Sequence, residues 1–204
     1  NSLYPAGVNT RNIQAQATVT LPPGWKYATA LETERRDGDT VVFKPISYDH
    51  LVDSPLFAGQ HYRQFDLDPG AKVPVRLNVF ADNAKALEAK PEQIQAHRAL
   101  VQQIYKLYGA RHFDHYDFLL ALTSQLGGTG LEHQRSSENS GDTGYFTEWD
   151  KTWLGRDLLP HEFTHSWNGK YRRGADLTTA NFNVPIGDSH LWVYEGQIQF
   201  WGQG

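Results

Sequence analysis

The stretch Leu158-Leu159-Pro160-His161-Glu162-Phe163-Thr164-His165-Ser166-Trp167 constrains this chain more than any other. It contains the pattern H-E-x-x-H. On a helix, His161 and His165 stand one turn apart on the same face. Two imidazoles so placed can hold one Zn²⁺, and Glu162 beside them can act on a water in the same site. The pattern also occurs by chance on ordinary helices. With nine histidines in 204 residues, about one chain in fifty would carry it. A metal reading therefore needs a further ligand. The chain has no cysteine, which leaves His, Asp and Glu to supply it.

A catalytic zinc usually takes three protein ligands and keeps one position for water. The extended pattern H-E-x-x-H-x-x-G-x-x-H is excluded, because residue 168 is Asn and residue 171 is Tyr. Asp176, Asp188, His190 and Glu195 are the remaining candidates. Asp176 lies in a loop beside Arg172 and Arg173, where an ion pair or solvent exposure is the expected role. Asp188 reads as a helix cap, and His190 sits at the entrance of the same helix. Glu195 lies in the apolar, aromatic run Leu191-Trp192-Val193-Tyr194-Glu195-Gly196. An unpaired carboxylate there would be costly to bury and should meet a cation or strong donors. A second helix presenting Glu195 to the two histidines of the first is the favoured arrangement.

The rest of the composition narrows the partners. Net charge is −4 with the signs mixed along the chain, so a nucleic-acid-binding surface is not expected. No apolar run approaches membrane-spanning length. Six Trp, ten Tyr and ten Phe supply ample core material. Methionine is absent even at position 1, and the chain closes on a strongly apolar segment. These ends are expected to be internal to a longer protein, so the compartment stays open.

Along the chain, residues 1–82 read as an incomplete β-rich domain. Asn12–Leu21 alternates apolar and polar residues, and Pro22-Pro23-Gly24 ends it. Tyr27–Leu31, Thr40–Phe43, Tyr62–Leu67 and Val73–Phe80 are further strand candidates, and Tyr48–Ser54 is a short helical turn. Residues 83–204 read as a second domain with helices. Pro91 is expected to open a long helix that Gly109 stops. His115–Thr123 follows as an apolar strand. Gly127–Gln134 is expected to turn into an edge strand, and Ser136–Gly144 to be polar and turn-like. Asp157 is expected to cap the histidine helix and Gly169 to end it. A final helix is expected over His190–Trp201, with Gln199 in reach of a ligand histidine. The fold class is α+β: a β-sandwich-like part followed by a metallopeptidase-like catalytic part.

The run from His161 to Asn168, followed by Leu191–Gly196, resembles the glycyl aminopeptidase family of bacterial zinc peptidases. Leu51-Val52-Asp53-Ser54-Pro55 and Gly130-Leu131-Glu132-His133 are also similar to that family's markers. The resemblance spans about residues 25–204. It implies an N-terminal β domain, the first half of a thermolysin-like (gluzincin) catalytic domain and, in the whole family member, a C-terminal PDZ domain. Zinc ligands at His161, His165 and Glu195 and a catalytic base at Glu162 also follow from the resemblance. Gly130, Glu132 and His133 match, loosely, a motif whose glutamate holds the substrate's free α-amine. One fewer residue separates Gly130 from Glu132 than in that motif, and His133 replaces its Asn. The substrate implied is a peptide with a free N-terminus, cleaved after Gly or Ala, in a periplasmic or secreted setting. The tyrosine that stabilises the transition state in related enzymes is expected to lie beyond residue 204. The competing readings are a zinc endopeptidase with the same centre and an inactive peptidase-like binding protein.

Overall fold

The computed structural model describes residues 3–203. The N-terminal part is built from short antiparallel ladders. Strands β1 (Gln14–Ala15), β2 (Thr18–Thr20), β3 (Lys26–Thr29), β4 (Thr33–Asp37), β5 (Thr40–Phe43) and β6 (Ile46–Ser47) come first. Helix α1 (Tyr48–Val52) and strand β7 (Leu56–Gly59) follow. The order β2-β5-β4 makes a three-stranded sheet, while β1 pairs with β6 and β3 with β7. The run read as one strand over Asn12–Leu21 is thus divided between two sheets. A small core of Leu21, Val41 and Phe43 holds this part together.

The main sheet contains β8 (His61–Asp66), β9 (Val75–Ala81), β10 (Tyr116–Leu122), β11 (Gly130–Glu132) and β12 (Ser136–Gly141) in the order β11-β12-β10-β9-β8. β9, β10 and β12 are parallel, and the two edge strands are antiparallel. The division expected at residue 82 therefore falls between β9 and β10, which pair over seven residues. Parallel neighbours need a crossover, and α2 (Pro91–Tyr108) supplies it between these two strands. Pro91 stands in its first turn, where a missing N–H costs nothing. Gly109 ends it in the left-handed region, φ 65°, and donates to the Tyr105 carbonyl.

Both faces of the sheet are covered, which is why β10 is apolar at nearly every position. Phe118, Leu120 and Leu122 face the large core, where Ile94, Val101 and Ile104 of α2 meet Leu159 and Phe163. Leu119 faces the other way, onto Ala28, Phe57 and Phe80. β12 corrects the expectation of a turn over Ser136–Gly144. Its residues Ser136, Ser137 and Asn139 are fully buried. Asn139 Nδ2 donates to the Leu119 carbonyl and to Ser137 Oγ, both at 3.0 Å. Small polar side chains, of which Asn139 and Ser137 bond within the sheet, replace the apolar pattern that normally marks a buried strand.

Helix α3 (Leu158–His165) lies over β11 and β12. Asp157 precedes it but makes no capping bond; its Oδ2 instead accepts from Gln199 Nε2 at 3.2 Å. That bond takes Gln199 away from the histidines. α3 stops at His165, so Gly169 is not its cap; Gly169 turns the chain three residues later, at φ 135°. The last segment is a widened π-helical turn over Trp192–Gln197 that runs into α4 (Ile198–Gly202). Neither Asp188 nor Ser189 caps it with a side chain. Among the described residues, no helix is long and apolar enough to cross a membrane.

Candidate metal centre and its surroundings

The inner face of α3 is fixed by aromatic packing. Phe163 is fully buried, its ring centroid 4.5 Å from Tyr116 and 5.1 Å from Phe118. That anchorage turns His161 and His165 towards the last helical segment. Their Nε2 atoms lie 3.1 Å apart, and Glu195 Oε2 lies 3.4 Å from each. The donor atoms of these three residues all fall within 4.8 Å of one another, and among the described residues they form the one group of its kind. Asp176, Asp188 and His190 do not join it. Asp176 accepts from Ser189 Oγ at 2.6 Å, with His190 Nδ1 3.7 Å away.

The donor set fits a zinc ion chemically. His165 Nδ1 lies 3.3 Å from the Asn168 carbonyl, which can only accept, so the proton sits on Nδ1 and Nε2 keeps its lone pair. Burial lowers the His165 pKa, against the pull of Glu132 and Glu195, and so favours the neutral, ligating form. Two imidazole nitrogens and one carboxylate oxygen converging on one point is a set that zinc accepts. The two sides of the set differ in exposure: His165 is 1% exposed, the Glu195 side chain 48%.

Glu162 projects beside this group and is only 4% exposed. Burial, with the charges of Glu132 and Glu195, pushes its carboxyl up to about 8. A nearby cation would act in the opposite direction. Gly130 makes room for this carboxylate. A Cβ there would overlap Glu162 Oε1 and come within 2.5 Å of Leu158 Cδ1.

Glu132, at the end of the edge strand β11, accepts a hydrogen bond from the Tyr194 hydroxyl. Burial raises its pKa, but the Tyr194 bond and the Lys170 charge outweigh this and hold the carboxyl below its ordinary value. His133, next in sequence, turns to the N-terminal part instead: its Nδ1 lies 3.1 Å from Asp53 Oδ1. Asp53 also accepts from Lys170 Nζ at 3.0 Å and from the Gln134 amide at 2.8 Å. Sequence reasoning singled out Asp53 only as part of a marker, and missed Lys170 and Tyr194. A tyrosine in an aromatic helix reads as core, and no local pattern distinguishes it.

The same architecture recurs in solved structures that superpose on this chain. An aminopeptidase N family protein from Idiomarina loihiensis superposes with a TM-score of 0.76 at 21% identity, over 95% of this chain and 34% of its own. An M1 zinc metallopeptidase from Deinococcus radiodurans, solved with a Tyr-Ser-Ala substrate, gives 0.54 at 17% identity, over 93% and 39%. Leukotriene A4 hydrolase from Saccharomyces cerevisiae gives 0.57 at 16% identity, over 95% and 27%. The chain thus spans about a third of the length of the structures it matches. No curated protein matches it.

Two models of one family settle the narrower question. The M61 glycyl aminopeptidase model matches residues 155–204, and the M61 N-terminal domain model matches residues 2–60. Together they cover more than half of the sequence, and the chain belongs to the M61 glycyl aminopeptidase family. The N-terminal match ends where β8 begins the main sheet.

Proposed function

We propose that these residues form the catalytic centre of a zinc-dependent aminopeptidase that removes N-terminal Gly or Ala from peptides. The observation that carries this reading is the convergence of His161, His165 and Glu195 beside the buried carboxylate of Glu162. In it, His161, His165 and Glu195 hold one Zn²⁺. When bound, that ion supplies Lewis-acid polarisation of a carbonyl and acidifies a water. The remaining work falls to the chain's own side chains. Glu162 takes a proton from the attacking water and returns it to the leaving amine, since among the described residues no other carboxyl is both buried and adjacent to the histidine pair. Glu132 receives the α-ammonium of the substrate, so that the first peptide bond lies over the centre. A charged anchor of this kind favours free N-termini over internal bonds. Because β8 and β9 belong to the main sheet and the N-terminal family match ends at residue 60, we propose that the two parts of the chain divide near residue 60 rather than at residue 82.

Glu162→Gln keeps the size of the side chain and removes the base. It is expected to retain zinc and to lose activity by a factor on the order of 10³. Wild-type turnover with zinc in place would remove Glu162 from the mechanism. Glu132→Ala is expected to depress cleavage of a free-amine glycyl substrate about a hundredfold more than cleavage of its N-acetylated counterpart, the scale of a charge-assisted bond. Equal losses on the two would point instead to an endopeptidase with the same centre.

A further inference from the structure

We propose that Tyr194 is a positioning residue that spaces the amine anchor Glu132 from the histidine pair. The inference rests on the reading of Glu132 as that anchor. Three contacts fix Tyr194. Its hydroxyl donates to Glu132 Oε1 on the edge strand. Its ring centroid lies 4.6 Å from that of His165. Its hydroxyl end packs against Gly169, where a Cβ would run into the ring and stand 2.9 Å from the hydroxyl oxygen. Gly169 also holds φ 135°, which other residues rarely adopt, so the close approach is built into the backbone. Tyr194 is accordingly 8% exposed, although its segment otherwise presents large side chains to solvent.

The chemistry of the donor matters as much as its place. A carboxylate at the end of an edge strand can adopt several rotamers, and an anchor must hold one. A lysine could fix it, but would neutralise the charge that attracts an ammonium. Lys170 is close enough to lower the Glu132 pKa, yet its Nζ is bound to Asp53 at 3.0 Å. The phenol is a neutral donor that orients Oε1 and leaves the negative charge in place. Among the described residues, no other side chain donates to Glu132, which leaves Oε2 for the substrate. One rigid ring therefore touches both the anchor and a histidine of the centre. Its span sets the distance from the α-amine to the scissile carbonyl, and so the number of residues removed per cut.

The test is Tyr194→Phe in the complete, zinc-loaded enzyme, assayed on a glycyl substrate with a free amine and on its N-acetylated form. We expect KM for the free amine to rise about tenfold, one hydrogen bond to a charged group. The kcat for that substrate should stay within about threefold, and both constants for the N-acetylated form should not move, because the ring and its packing remain. In a Glu132→Ala background the same substitution should have no further effect. Binding of glycinamide to the zinc-free protein, followed by calorimetry, should weaken about tenfold in Tyr194→Phe and further in Glu132→Gln, which removes the charge itself. Parallel losses on free and blocked substrates, or an additive loss in the Glu132→Ala background, would overturn the positioning role while leaving the anchor intact. If Glu132→Ala itself treats free and blocked substrates alike, the anchor reading fails, and this inference with it.

Discussion

The two helical segments that meet at the centre are held in different ways. α3 buries Leu159, Glu162, Phe163, Thr164 and His165, with its apolar side chains in the main core against β10. The segment that carries Glu195 buries only Tyr194 and Ile198 and leaves Trp192 and Phe200 to solvent. Its principal support is α3 itself. At their junction a Cβ on Gly202 would stand 3.2 Å from the His161 backbone. The histidine pair is thus positioned by the sheet, whereas the aim of Glu195 is inherited from the histidine helix.

The contrast can be broken most sharply by removing one proposed ligand from each side. His165→Ala should lower zinc affinity on the order of a thousandfold, one ligand's share of a metal-binding free energy, and should also destabilise the metal-free protein through its buried cavity. Glu195→Gln should weaken zinc too, but leave the thermal stability of the metal-free protein unchanged, since its side chain is half exposed. Equal destabilisation of the two metal-free variants would remove the distinction. The sheet side can be probed without touching a ligand. Gly130→Ala should displace the Glu162 carboxylate and cost about a hundredfold in kcat, the scale of a misplacement near 1 Å, with zinc content intact. Full activity would show that β11 can yield.

Asp53→Asn tests how far the platform extends into the N-terminal part. Burial opposes ionisation of Asp53, but its bonds to His133 and Gln134 and the Lys170 charge hold its pKa below the ordinary value. A depressed carboxylate adds stability above the unfolded pKa near 3.9 and loses it as pH falls through the folded value. The variant should therefore be about 2 kcal/mol less stable near neutral pH, with the gap closing below about pH 4. A gap that persists in acid would mean that packing, not charge, is responsible. The smallest effect is expected at the junction. Gly202→Ala gains about 1 kcal/mol of helix propensity and loses about 1–3 kcal/mol to overpacking against the His161 backbone. A net loss of about 1 kcal/mol in chemical denaturation is the outcome; a net gain would show that the junction is loose.

Legibility in the sequence followed the same division. Phe118-Leu119-Leu120-Ala121-Leu122 announces β10, because a strand covered on both faces needs apolar side chains throughout. β12 lies beside it, equally buried, and was hidden, because its buried side chains Ser136, Ser137 and Asn139 are small and polar, with Asn139 bonded to Ser137 and to the Leu119 carbonyl. Pro91 and Gly109 mark the ends of α2 through chemistry that acts locally. Asp157, Gly169 and Gln199 obeyed tertiary partners instead of local capping rules. At the centre, the spacing of His161 and His165 is a local periodicity, and Glu195 stands out as a charge among apolar neighbours. The Asp53–Lys170 and Glu132–Tyr194 pairs join residues 117 and 62 positions apart, so no periodicity could reveal them.

The widened turn over Trp192–Gln197 carries a consequence for how this segment can change. A π turn holds one residue more than an α turn, and here it brings the consecutive residues Tyr194 and Glu195 to the same centre. Deleting a single residue would restore ordinary helical winding, with about 3.6 residues per turn, and leave the flanks in nearly the same relative orientation. Tyr194 and Glu195 would then no longer both point to the centre. Substitutions at Trp192 or Phe200 alter only exposed surface. The length of this segment is consequently under tighter physical constraint than most of its side chains.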